Sequence, residues 1–232
     1  MRNHSSTVGR GLAPALQGFS PLLVFWDWNG TLLDDRDYAI GVRNRVFPRF
    51  GLPRIESLAE YYEQFTFPVR LYYERAGVTD EDFVEVAHAW MDEYVRGADS
   101  IPLRTGALAA LSAFQAAGVS QVVLSASKAE ILQNQLAHHG LVGFFADVLG
   151  LSHIYASSKQ AIGEAYLRNC GIPPENCVLL GDTLHDAEVA REIGIDCILI
   201  SGGHQSEKML RTVGCPVCTS LEEAVKRVHE ER

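Results

Sequence analysis

Three aspartates, Asp27, Asp182 and Asp186, have the types and spacing to do chemistry together. Asp27 ends the apolar run Leu22-Leu23-Val24-Phe25-Trp26, which is short, continuous and bounded by Pro21 and a polar turn, as a buried strand is. Gly30 then allows a tight turn. Asp182 and Asp186 follow a second such run, Cys177-Val178-Leu179-Leu180. In open α/β sheets ligands bind outside the carboxyl ends of the strands. A carboxylate there can ligate a metal or act as a nucleophile. Three carboxylates at one sheet edge would repel strongly. A divalent cation relieves that repulsion, and an all-oxygen site with few protein ligands suits Mg²⁺. Each acid also has a plainer reading: Asp27 and Asp182 as turn residues, and Asp186 as a negative charge at a helix N-terminus.

The elements that must position these acids alternate. After Pro102 a helix carries Leu108, Leu111 and Phe114 and stops at Gly118. The strand Val122–Leu124 follows, and then a helix capped by Ser127 that stops at Gly140. A weak strand over 146–149 leads to a helix from Ser157 to Gly171, with Pro173 beyond it. The strand over 177–180, a helix to Gly194, the strand Asp196–Ile200 and a closing helix over 221–229 complete the chain. Strands alternating with helices of this length predict an α/β fold with a parallel sheet.

Residues 35–101 differ. They read as several helices punctuated by Gly51-Leu52-Pro53 and Gly77, with no confident strand. Thr79-Asp80-Glu81-Asp82 has the form of a capping box, opening a helix whose apolar face is Phe83, Ala87, Trp90, Met91 and Tyr94. The segment is thus a helical insertion just after Asp27. Residues 1–20, rich in Ser, Gly and Ala without period, read as a flexible extension.

Composition sets limits. The chain is 47% hydrophobic and 21% charged, which is ordinary for a globular protein. A net charge of −9 with no basic stripe argues against a nucleic-acid partner. No apolar run approaches ~18 residues, so no membrane span is predicted. Five cysteines, an odd number with no signal peptide, point to reduced thiols in the cytoplasm. Cys215-Pro216-Val217-Cys218 has redox-motif spacing but lacks that context, and reads as strand and loop. Nothing fixes an oligomeric state.

In order, these stretches resemble the haloacid dehalogenase superfamily. Its first motif is a hydrophobic strand and Asp-x-Asp-Gly-Thr, here Asp27-Trp28-Asn29-Gly30-Thr31. Its fourth is Gly-Asp-x-x-x-Asp, here Gly181 to Asp186. Ser125 falls on the second-motif hydroxyl and Lys159 on the third-motif lysine, with Lys128 as runner-up. The resemblance covers about residues 21–229. It implies a Rossmann-like core (21–35 and 101–232) and a helical cap (36–100), as in phosphoglycolate phosphatase-like members. Ser201-Gly202-Gly203-His204 is similar to that branch's loop. The implied roles are Asp27 as nucleophile, with metal ligation by Asp27, Asp182, Asp186 and the backbone carbonyl of Asn29. Ser125, the backbone of Ala126 and Lys159 would hold the phosphate at a helix start. His185 and His204 are near-site candidates.

The implied function is Mg²⁺-dependent hydrolysis of a small phosphorylated metabolite through an aspartyl phosphate on Asp27. Asn29 departs from the pattern, since it stands where the phosphatases carry their second Asp. It can hydrogen-bond but cannot exchange a proton. Loss of a general acid–base typically costs ~10²–10⁴-fold. The alternatives are a phosphatase with another acid, from the cap, His185 or His204, or with a leaving group that needs no proton; a non-catalytic phosphate-binding member; a phosphonoacetaldehyde hydrolase, which needs a cap lysine that residues 35–101 lack; and a metal-free dehalogenase, against which the second pair of acids argues. Eight arginines lie within 36–100. Any that faced the site could hold a substrate carboxylate or second phosphate.

Overall fold

The computed structural model describes residues 22–155 and 158–230. The extension expected over 1–20 and the helix start expected at Ser157 lie outside the described residues. Six parallel strands form one sheet in the order β3-β2-β1-β4-β5-β6. They are β1 (Leu23–Trp26), β2 (Ser120–Lys128), β3 (Asp147–Leu151), β4 (Cys177–Gly181), β5 (Asp196–Ile200) and β6 (Val217–Cys218). The helices are α1 (Arg36–Val46), α2 (Leu58–Gln64), α3 (Val69–Arg75), α4 (Phe83–Arg96), α5 (Ala107–Ala116), α6 (Ala129–His138), α7 (Gln160–Cys170), α8 (Leu184–Ile193), α9 (Glu207–Leu210) and α10 (Leu221–Glu230).

β1 is central because every one of its residues is apolar and can be buried on both faces. Val24 and Trp26 point into one core layer, and Leu23 and Phe25 into the other. This is the period of two expected of a strand. The first layer is closed by α5, α6 and α10, which contribute Leu111, Phe114, Leu132, Leu136, Leu221 and Val228. The second is closed by α8, through Val189, Ala190 and Ile193, with Tyr166 and Leu167 of α7 against it. Each fully buried Leu, Val or Phe contributes about 1.5–3 kcal/mol. Two indoles need acceptors in this core, and glutamines supply them. Trp26 Nε1 donates to Gln121 Oε1 at 3.0 Å, and Gln121 Nε2 donates to the Leu111 carbonyl at 3.1 Å. Trp28 Nε1 donates to Gln135 Oε1 at 2.9 Å, tying the first-motif loop to α6.

The chain leaves β1 on one side for β2 and β3, and returns on the other for β4, β5 and β6. The order reverses at β1/β4, and a crevice opens there at the carboxyl ends. Asp27 prolongs that ladder by one bond, its N–H donating to the Leu180 carbonyl at 2.9 Å.

Several boundaries differ from the sequence reading. β1 starts at Leu23, not Leu22. β2 runs to Lys128, past the expected end at Leu124, because it continues to pair with β3 up to Leu151. Ser127 does not cap α6: the capping position is Lys128 and carries no side-chain cap. The Ser127 hydroxyl instead donates to Asn29 Oδ1 at 2.6 Å. β6 and α9 escaped notice because two and four residues carry no periodicity. Cys215 lies in a loop and Cys218 ends β6, as expected of strand and loop residues. No helix among the described residues is long and apolar enough to cross a membrane.

Candidate active site

The carboxyl ends of β1 and β4 bring Asp27, Asp182 and Asp186 together, with ligand atoms within 4.8 Å of one another. All three are buried. Lys159, at the N-terminal end of α7, reaches into the group. Its Nζ lies 2.5 Å from Asp27 Oδ1, 2.6 Å from Asp186 Oδ1 and 2.9 Å from the Leu124 carbonyl. Burial alone would lower the lysine's pKa, but Asp186 and Asp27 hold it above its ordinary value, so the ammonium persists.

Asp186 has a second task. Thr183 caps α8, and its hydroxyl donates to Asp186 Oδ2 at 2.6 Å; the Thr183 and Asp182 N–H groups donate to the same oxygen at 2.9 and 3.2 Å. The Thr183-x-x-Asp186 capping box thus fixes the fourth-motif turn. Burial would raise Asp186, yet Lys159 and these bonds hold it below the usual carboxylate range.

The other two acids go the opposite way. Burial pushes Asp27 up to about 8, against the pull of Lys159 and reinforced by Asp186 and Asp182. Burial, with Asp186 adding and His204 opposing, pushes Asp182 up to about 6. One lysine therefore does not neutralise this edge at neutral pH. The donors are all oxygen, buried and convergent, and they fit a hard divalent cation. Such a cation would let Asp27 and Asp182 ionise together.

Glycine makes the close approach possible. Gly30 has φ +73°, and a Cβ there would run into the Asp182 carboxylate and the His204 ring. A Cβ at Gly203 would meet Asp182 as well. The Gly202-Gly203-His204 loop packs directly on that carboxylate, and the His204 N–H donates to Asp182 Oδ2 at 2.5 Å.

Ser125 is buried in β2, and its hydroxyl accepts from the Ser127 N–H at 3.1 Å. Ser125, Ala126, Lys159 and the three acids all line one cavity of about 160 Å³. Lys128 lines it too but pairs with Glu130 at 2.8 Å and is partly exposed.

Sequence reasoning missed Asp35. It is 2% exposed and accepts four hydrogen bonds. Gly30 N–H and His204 Nε2 reach Oδ1 at 2.8 and 3.0 Å; Asn29 Nδ2 and the Tyr94 hydroxyl reach Oδ2 at 2.7 and 2.8 Å. Burial would raise this acid too, but His204 and the hydrogen bonds keep it below its ordinary value. His204 is correspondingly held up at about 9, the Asp35 charge outweighing its burial. Charged, it donates through Nδ1 to the Tyr61 hydroxyl at 2.7 Å. Tyr61 (α2) and Tyr94 (α4) thereby bind the helical segment to the sheet edge. Only the position of Asp35, eight residues after Asp27, could have suggested it. His185 stacks on Phe67, with ring centroids 4.7 Å apart, and its Nε2 is buried without a partner.

A parallel α/β sheet with acids from two strand ends and a lysine between them offers a nucleophile, a cation and metal-ligand oxygens at one edge. Residues 24–200 match the haloacid dehalogenase-like hydrolase family. The chain belongs to that family and is a phosphatase-like enzyme within it. It is similar to the phosphoglycolate phosphatase of Synechococcus elongatus, 22% identical over 193 residues, which is 83% of this chain and 89% of the relative. In structure it resembles a predicted phosphatase from Clostridium acetobutylicum at a TM-score of 0.80 and 19% identity, covering 91% of this chain and 100% of that one. It also resembles a CbbY variant from Rhodobacter sphaeroides, in complex with xylulose 1,5-bisphosphate, at a TM-score of 0.70 and 20% identity, covering 87% of this chain and 95% of that one.

Proposed function

We propose that this protein is a Mg²⁺-dependent phosphatase that hydrolyses a small phosphorylated molecule through an aspartyl phosphate on Asp27. The observation that carries the reading is the position of Asp27 on the cavity floor, beside Lys159 and within ligand distance of Asp182 and Asp186. In this scheme the core is 21–35 with 101–232, and residues 36–100 are a cap over its carboxyl edge. Asp27, Asp182 and the Asn29 carbonyl would hold the ion, with Asp186 contributing or orienting Lys159. The bound ion supplies charge neutralisation for the attacking carboxylate and the phosphoryl oxygens.

The protein's own groups do the rest. Lys159 pairs with Asp27 at 2.5 Å, pulls against the burial that raises that carboxyl, and stabilises the charge that develops on the phosphoryl group. Ser125 and the Ala126 N–H bind the non-reacting oxygens. An Asp27 oxygen bonds to phosphorus as the bond to the leaving oxygen breaks; water then attacks the aspartyl phosphate and releases inorganic phosphate. The odd cysteine count suits a reducing compartment, and we place the enzyme in the cytoplasm.

Asn29 favours a second reading, a phosphate-binding member with little turnover. It donates to Asp35 and Tyr94 and accepts from Ser127, so its amide is fixed and moves no proton. p-Nitrophenyl phosphate separates the two. Mg²⁺-dependent release of nitrophenol, abolished by chelation, supports the enzyme; phosphate binding without turnover supports the second reading.

Ion binding has its own readout. Mg²⁺ at 100 times its Kd should stabilise the metal-free protein by about 2.7 kcal/mol. Asp182→Asn should remove most of that gain. Thermal melts of both proteins with and without Mg²⁺ measure it, and equal melting temperatures in all four would argue against the ion.

A further inference from the structure

We infer that the substrate is the phosphate ester of a single-ring phenol; this rests on Asp27 being the phosphoryl acceptor. Three independent features of the cavity converge on it.

The first is the wall. Besides the acids, the cavity is lined by Phe67, Tyr72, Tyr73, Phe83, Trp90 and Met91. Trp90 is held in place by stacking on Tyr94, with ring centroids 4.9 Å apart and planes at 19°. Its neighbours interlock edge to face, Tyr73 on Phe83 at 5.4 Å and Tyr72 on Tyr73 at 6.0 Å. A chamber of this kind takes an apolar, flat group. Its volume, about 160 Å³, is close to that of an apolar cavity of ~150 Å³ that admits benzene. That volume takes in the phosphate end, lined by Ser125, Ala126 and Lys159, so beyond a phosphate it leaves room for one ring at most.

The second is the lack of a guanidinium among the described residues of the cavity. An alkyl substrate such as 2-phosphoglycolate carries a carboxylate beyond its phosphate, which a bidentate guanidinium holds best; Lys128 lines the cavity but is paired with Glu130 at 2.8 Å. No arginine is among the described residues lining this cavity. Arg43, buried in α1, is not among them and gives its two terminal nitrogens to the Tyr72 hydroxyl at 2.9 Å and Gln64 at 2.8 Å. Arg36 donates to the Gly202 carbonyl at 2.9 Å, and Arg104 to the Gly30 and Ser201 carbonyls at 2.7 Å each. Asp182, which also lines the cavity, would repel a second carboxylate, whereas Asp35 is paired with His204 at 3.0 Å. Among the described residues lining the cavity, His185 Nε2, beside Phe67, is the buried side-chain nitrogen or oxygen without a partner, and it can hydrogen-bond a ring hydroxyl or carbonyl.

The third is Asn29. A phenolate leaves without a proton from the enzyme far more readily than an alkoxide does. The step balances with water alone. Asp27 attacks phosphorus, the P–O(aryl) bond breaks with its electron pair on the phenolate oxygen, and that oxygen takes a proton from water. A second water then hydrolyses the aspartyl phosphate to inorganic phosphate.

The test pairs turnover with binding. Phenyl phosphate, 1-naphthyl phosphate, 2-phosphoglycolate and acetyl phosphate are assayed with Mg²⁺. Benzylphosphonate and phosphonoacetate, which cannot be hydrolysed, are titrated by calorimetry, so that leaving-group reactivity plays no part. The expected result is a kcat/KM for phenyl phosphate at least 100-fold above those for 2-phosphoglycolate and 1-naphthyl phosphate, with benzylphosphonate bound at least 10-fold tighter than phosphonoacetate. Trp90→Ala should cut that binding preference at least fivefold, and Trp90→Phe should retain it. If Trp90→Ala does not fold, the wild-type titrations still decide. Turnover of acetyl phosphate with equal binding of the two phosphonates overturns the ring and leaves the Asp27 reading standing. No turnover of any of the four compounds overturns both.

Discussion

Asp27→Asn should abolish turnover and, at neutral pH, stabilise the metal-free protein. Removal of a covalent nucleophile costs roughly 10⁴-fold or more. The stability gain follows from the environment of the carboxyl. Its ordinary value is 3.8 and burial pushes it up to about 8 in the fold. Below the unfolded value both states carry the proton and there is no penalty. As pH rises from there the unfolded chain ionises while the folded one resists, so stability falls, and the full penalty is present above the folded value. Asparagine has nearly the same shape and no charge. Lys159 keeps Asp186 at 2.6 Å, so it is not left unpaired. A realised gain of ~2 kcal/mol would raise Tm by roughly 4–8 °C in a chain of this size. Mg²⁺ should shrink or reverse the difference, because the ion removes the penalty in the wild type and loses a ligand in the variant. Melts of both proteins at pH 5 and pH 8, with chelator and with Mg²⁺, check it. A lower Tm for the variant at pH 8 in chelator would show that the carboxylate is stabilising and the charge accounting wrong.

Asn29→Asp should increase turnover of alkyl phosphates by about 10²-fold or more, with a smaller gain on aryl phosphates. The reason lies in Asp35. Asn29 Nδ2 sits 2.7 Å from Asp35 Oδ2. A carboxyl introduced at position 29 would face that carboxylate, and two acids so close share one proton. His204 and Tyr94 already hold Asp35 ionised. The proton therefore rests on the new group, which would remain an acid near neutral pH. Ser127 can still donate to its other oxygen, as it does to Asn29 at 2.6 Å. kcat for ethyl and phenyl phosphate, wild type against variant, measures the effect. Equal factors on both substrates would mean that another residue already supplies the proton. Adding Asp35→Asn should return the introduced acid to an ordinary value and move the pH optimum down.

The reach of the sequence is clearest in the strands. β1 and β4 are uninterrupted apolar runs, so their ends, and hence Asp27 and Asp182, could be placed within a residue. Lys159 followed because its order relative to those ends matches the superfamily. These signals are local. Each depends on a handful of consecutive residues whose burial is dictated by their own side chains.

What only the tertiary structure decided involves partners far apart in the chain. Asp35 meets Tyr94 59 residues away and His204 169 residues away. Nothing in its immediate neighbours distinguishes it from Asp34, which is exposed. Ser127 shows a local rule losing. Ser-x-x-Glu reads as a helix cap, but the Asn29 amide oxygen is 98 residues away in sequence and 2.6 Å away in space. The eight arginines of residues 36–100 could not be sorted by composition; the fold turns Arg43 onto aromatic rings and Arg36 onto a carbonyl, and leaves the cavity wall to aromatic side chains. Periodicity tells which face of a helix is apolar. Whether that face meets the core or a substrate depends on where the helices close over the sheet, and that is settled by long-range contacts such as those of Tyr61 and Tyr94.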